Sequence, residues 1–168
     1  MAFIDTDMDN PEGFATFYNL TKAVGNGCTN LKEDVMVVQF FLNRYYLKDK
    51  RDSPISKNPL KVDGLYGPKT RARIIQFQND AKNAGSSVIV DGVVNKAGNA
   101  RSNWESSISR TNYVIRLLNN TLRRNDSFVY NSLPYNQEVP PELRLAFLQM
   151  HAEGPAMHDS VINNAAAA

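Results

Sequence analysis

The sequence predicts an all-α fold. Two stretches carry apolar residues at helical spacing, Leu31 to Leu47 and Thr70 to Ala81. Glycine and proline stand where helix ends need them, at Gly25, at Gly67-Pro68 and at Pro140-Pro141. The 168 residues are 42% hydrophobic, enough to bury a real core and to argue against wholesale disorder.

The first helix is expected between Asn10, as cap, and Gly25, with Pro11 in its first turn. Phe14, Phe17, Thr21 and Val24 then share a face. After the link GNGCTN, the second helix runs from about Leu31 to about Leu47, with Leu31, Val35, Val38, Leu42 and Tyr45 as its stripe. Met36, Val37, Phe40 and Phe41 are apolar as well, so this helix needs cover on more than one side. Either another part of the chain supplies it, or these four residues contact a partner protein.

The loop KDKRDSPISKNP follows. Residues 43–82 hold ten Lys/Arg against four Asp, a surplus of six positive charges. This is either a solvated loop or a basic edge that attracts an anionic ligand. The third helix opens with Gly67 as cap and Pro68 as first residue and ends near Gly85. Thr70, Ile74, Phe77 and Ala81 point it inward, with Ala72 and Ile75 beside them. Asp-Gly pairs flank this helix in the related strings LKVDGLYGPKT and VIVDGVVNKAG. Asp63, Gly64, Gly67, Asp91 and Gly92 are the expected turn-shaping residues, since Asp bonds its own backbone and Gly accepts positive φ. Residues 102–125 read as a fourth helix anchored by Trp104, Ile108, Ile115, Leu118 and Leu122. A last helix starts at PPELRLAFLQM. The terminal NNAAAA carries no functional reading.

DVMVVQFFLN (Asp34 to Asn43), VDGLYGPKTRARIIQFQ (Val62 to Gln78) and VDGVVN together resemble the bacterial peptidoglycan-binding domain family. Its pattern is a Val and a Val/Leu-Gln-x-x-Leu-Asn on one helix, an Asp-Gly-x-x-Gly-Pro-x-Thr turn, an apolar-x-x-Phe-Gln helix and a second Asp-Gly. The resemblance covers roughly residues 25–101. It implies a three-helix core that binds cell-wall peptidoglycan without cleaving it. The chain divides accordingly into an N-terminal helical segment (1–26), a peptidoglycan-binding-like module (27–101) and a C-terminal helical extension (102–168). The loop from Lys48 to Lys61 is longer than is usual in the family, and the four extra apolar residues replace positions commonly polar there.

Peptidoglycan offers hydroxyls, amides and carboxylates. Tyr66 is the expected aromatic contact, and Lys69, Arg71 and Arg73 are expected to meet carboxylates. Thr70 joins this ligand-binding set, although it can equally pack or cap. Gln39 and Gln78, which also match the family pattern, are either core hydrogen-bond partners or ligand contacts.

Enzyme readings are weaker. The two histidines lie in HAEGPAMHD, a faint echo of zinc peptidases. His151, His158 and Asp159 or Glu153 barely supply the three ligands that catalytic zinc needs. AEG resembles the start of a lysozyme-like domain, but too little chain follows to build a two-carboxylate cleft. No catalytic residue, metal or cofactor is therefore expected. One cysteine, Cys28, excludes an internal disulfide. A net charge of +2 argues against nucleic-acid packaging, and no apolar run reaches membrane-spanning length. The first thirteen residues hold four acids and no base, unlike a secretory signal. The protein is thus expected to be cytoplasmic at synthesis and to reach the periplasm or wall by a non-standard route, as part of a phage or a contractile injection or secretion system. The rival reading is a structural or adaptor part of such a machine. A small wall hydrolase is a third.

Overall fold

The structure is a computed structural model. It describes residues 2–6, 16–49, 54–98, 105–106 and 108–153. The elements in chain order are β1 (Phe3–Thr6), β2 (Thr16–Asn19), α1 (Lys32–Asp49), α2 (Pro68–Asn83), α3 (Val114–Asn125), α4 (Ser127–Ser132) and α5 (Pro141–Glu153).

The expected all-α class is corrected to a mixed α/β fold: five helices accompany a two-stranded antiparallel sheet. The described part of the predicted first helix contains a strand. Thr16 to Asn19 form β2, which pairs with β1 so that Ile4 faces Tyr18 and Asp5 faces Phe17. Asn10, Pro11 and Phe14 lie outside the described residues. Phe17 and Tyr18 are adjacent and both buried, and along a strand successive side chains point to opposite faces. The two faces of the strand are covered separately. Phe17 lies under the Arg116 guanidinium, 3.8 Å from its ring centroid, whereas Tyr18 meets Phe147, Tyr130 and Phe41 edge-on. Asn119 on α3 holds Tyr18 by both backbone groups: it accepts from the Tyr18 N–H and donates to the Tyr18 carbonyl, each at 2.9 Å. Its own amide thus stands in for a neighbouring strand.

The helix α1 is the axis of the molecule. Val35, Val38 and Leu42 are fully buried as the stripe predicts, and Met36, Val37, Phe40 and Phe41 are buried as well. The chain itself is the cover, so the partner-contact reading of those four residues is corrected. One side of α1 carries α2, and α3 and α5 pack against it too. Arg44, also buried, pairs with Asp126 at the α3–α4 junction and with Glu138 ahead of α5. A buried guanidinium that lost either carboxylate would be costly, so this pair fixes the extension against α1.

The fourth helix begins only at Val114. Ile108, expected as an anchor, is 94% exposed, and Trp104 lies outside the described residues. Residues 108–110 turn instead: the Ser106 hydroxyl accepts from the backbone N–H of Ile108 and Ser109, and Arg110 adopts φ of +52°. Ile115, Leu118 and Leu122 are buried as expected. The helix α5 starts at Pro141, as predicted. One hydrophobic cluster runs through residues of all three spans into which the sequence was divided, from Ala2 to Met150. Among the described residues, no helix is long and apolar enough to cross a membrane.

Candidate functional site

The side-chain amides of the sequence motifs are framing residues. Gln39 and Asn43 lie one helical turn apart on α1 and face the same segment. Asn43 clasps Leu60 by both backbone groups at 2.8 Å. Gln39, 2% exposed, takes the first Asp-Gly turn. Its Oε1 accepts from the N–H groups of Asp63 (3.1 Å) and Gly64 (3.0 Å). Its Nε2 lies within reach of the Leu65 carbonyl (3.1 Å), Thr70 Oγ1 (3.2 Å) and Asp63 Oδ1 (3.3 Å). Gln78 on α2 repeats the device. It accepts from the Gly92 N–H (2.8 Å) and donates to the Val93 carbonyl (2.9 Å) and Asp91 Oδ1 (3.0 Å). Both glutamines are therefore core hydrogen-bond partners, which resolves the alternative left open by the sequence.

Each Asp closes its own turn: Asp63 Oδ1 accepts from the Leu65 N–H, and Asp91 Oδ1 from the Val93 N–H. The Leu65 N–H bond is the first reason that the Asp63 carboxyl titrates below the ordinary carboxylate range. Gly64 and Gly92 take φ of +73° and +75°, as the turns demand. Gly67 caps α2 without a side-chain bond, and Pro68 is its first residue.

With the turn assembled, the expected ligand residues separate. Thr70 is buried and receives the Gln39 amide, so its place in the ligand set is corrected: it is a core residue. Tyr66 is half-buried, its ring packs on the core, and desolvation raises its pKa. The aromatic edge expected there faces largely inward. Arg73 is also partly spent on structure, donating to the Asn58 carbonyl at 3.1 Å and lying 5.1 Å from the Tyr46 ring centroid. Burial lowers its pKa. Arg71 is exposed, but it lies toward the second turn, with its Cγ beside Gly92.

Lys69 is exposed and lines a cleft of about 280 Å³ between residues 55–60 and α2. Arg73, Ala72 and Gln76 continue its wall. Among the described residues Lys69 has no ion-pair partner. The structure thus brings Lys69 and Arg73 to one cleft and separates Tyr66, Thr70 and Arg71 from it. The loop side of the cleft was missed by the sequence reading. Its signal was Asn43, whose motif position pins Leu60 and so fixes where the loop returns.

The histidine segment offers no metal centre among the described residues, where no group of three or more His, Cys, Asp or Glu stands together. His151 Nε2 lies 2.8 Å from the Tyr18 hydroxyl, and burial lowers its pKa. His158 and Asp159 lie outside the described residues. Cys28 is a free, half-buried thiol.

Comparison with protein-family models, with curated proteins and with solved structures returned no match.

Proposed function

We propose that this protein binds bacterial cell-wall peptidoglycan without cleaving it, through the cleft between the 55–60 loop and α2. The observation that carries this reading is the division of labour within the motif. Gln39, Asn43, Asp63, Gly64 and Gln78 all serve the frame, and Lys69 remains as an uncommitted cation over a cleft. A cleft of this kind suits a carboxylate of the stem peptide, held by charge-assisted bonds and flanked by the Gln76 amide. The resemblance of VDGLYGPKTRARIIQFQ to the peptidoglycan-binding family supports the same ligand. Delivery by a phage or by a contractile injection or secretion system follows as part of the proposal. The adaptor alternative rested on Met36, Val37, Phe40 and Phe41, and their burial leaves it without a specific observation.

Pelleting with insoluble sacculi tests the reading. Saturable co-sedimentation at moderate salt, with no soluble sugar or peptide released, is expected. Failure to pellet removes wall binding, and release of fragments replaces it with hydrolysis.

A further inference from the structure

The helices α2 and α3 both pack on α1 but hardly touch each other. Between them lies a groove of about 380 Å³, within the usual range for small-ligand sites. The sequence reading attached no function to it, because one wall comes from the motif-bearing module and the other from the extension. Both walls are mainly helical, with Ser86 just past the end of α2.

Its floor is apolar. Tyr45 and Phe77 meet edge to face at 4.9 Å, and Leu117 continues the surface from α3. Its rim carries neutral polar groups: the Asn120 amide and the hydroxyls of Thr121 and Ser86. Among the described residues, none of these three side chains has a hydrogen-bond partner. By contrast, the two charged residues of the rim are already engaged. Asp80 accepts from the Tyr46 and Tyr45 hydroxyls and from Gln76, and Arg124 has partners of its own. The groove therefore offers an apolar platform, one unspent amide and two unspent hydroxyls, beside an Asp80 carboxylate whose oxygens are occupied by neutral donors.

We infer that the α2–α3 groove binds an N-acetylated amino sugar. An acetamido group presents one N–H and one C=O, which a single Asn side chain matches with its own C=O and NH₂. Ring hydroxyls pair with Thr121 and Ser86, and the methyl and the C–H face of the sugar lie on the half-buried Tyr45 and Leu117, with the buried Phe77 ring supporting Tyr45. A carboxylate-bearing peptide finds no free cation here. The groove is separate from the cleft at Lys69 but lies along the same helix. Its α2 residues lie eight positions further along the same helix, about 12 Å by the helical rise. One wall fragment can thus place its peptide carboxylate at Lys69 and its sugar in the groove. The source of the sugar rests on the wall-binding reading, whereas the ligand class rests on the groove alone.

The test is an NMR titration of the full chain with the trimer of N-acetylglucosamine and, separately, with N-acetyl-Lys-D-Ala-D-Ala. The trimer is expected to shift the amides of Ser86, Leu117, Asn120 and Thr121, and the peptide to leave them in place. Asn120→Ala should weaken trimer binding about thirtyfold, the loss of two hydrogen bonds at about 1 kcal/mol net each. Ala81→Phe should abolish it by filling the groove, with thermal melting to check that each variant folds. Absence of trimer shifts at these residues, shifts there from the peptide instead, or unchanged affinity in Asn120→Ala overturns the inference. If sacculi retain the protein while the trimer misses the groove, the groove assignment falls and wall binding stands. If the trimer occupies the groove while sacculi retain nothing, the sugar site stands and the wall reading falls.

Discussion

The two Asp-Gly turns are built to one plan and set in different surroundings. In both, a buried glutamine from the preceding helix accepts the glycine N–H, and the aspartate accepts from the residue two positions on. The first turn, however, lies against the backbone of α1. A Cβ on Gly64 would stand 2.4 Å from Lys32 Cγ and 2.8 Å from the Lys32 carbonyl oxygen. At Gly92 the nearest atoms are side-chain carbons of Ile75 and Arg71, at 3.2 and 3.3 Å. Gln39 also reaches Thr70, in the first turn of α2, whereas Gln78 holds only its own turn. The shared string of residues specifies the shape of a turn. What lies beneath it determines how much of the fold depends on it.

The glycine pair should show the largest contrast. Gly64→Ala combines a left-handed backbone with a clash against backbone, and about 3–5 kcal/mol of stability should be lost. Gly92→Ala should lose only about 1–2 kcal/mol, chiefly from the positive φ. Urea titration of both variants measures the difference, and equal midpoints would mean that the two environments do not matter. The glutamines come next. Gln39→Leu strands two backbone N–H groups and should lose about 2–3 kcal/mol, against about 1–2 for Gln78→Leu, which strands one.

Function sharpens the same contrast. Lys69 follows the first turn over an open cleft, whereas Lys96, after the second turn, lies 5.0 Å from the Phe3 ring centroid. Lys69→Ala should lower sacculus affinity about tenfold, one charge-assisted contact, while Lys96→Ala leaves it unchanged. Melting temperature should barely move for Lys69→Ala, since exposed substitutions typically stay within about 0.5 kcal/mol. An equal binding loss in both variants would reduce the cleft to general electrostatic attraction.

Acid should produce the smallest effect. Asp63 is held below its ordinary value of 3.8, so its contribution is complete above that pH and is lost as pH falls through the depressed value. Asp63→Asn should flatten the stability profile in that window. A profile identical to that of the parent chain would show that the carboxylate does not report on the first turn.

This contrast also shows what the sequence made legible. Helices α1, α2 and α5 and both turns follow from local periodicity and from Gly, Pro and Asp, whose preferences act within a few residues. The N-terminal segment was misread because its identity is set from a distance. Phe17 and Thr21 happen to fall at helical spacing, but pairing with β1 makes Thr16–Asn19 a strand, and Asn119, about a hundred residues away, holds Tyr18 on the strand's other edge. Thr70 was half legible: its inward place came from spacing, and its bond to Gln39 did not. At the site, Lys69 could be found because the turn motif leads directly to it. The groove between α2 and α3 could not, since Phe77 and Asn120 meet only through the fold.

Val24 and Val94 exchange two backbone hydrogen bonds, at 3.0 and 2.8 Å, across a stretch of about seventy residues that contains both α1 and α2. Closing so long a loop is entropically expensive, so this pair should form late in folding, after the clamps within it have shortened the search. Once formed, it ties the start of the motif-bearing stretch to its end. Its two amides should then exchange with solvent only when the whole stretch opens, which makes them natural reporters of global rather than local unfolding.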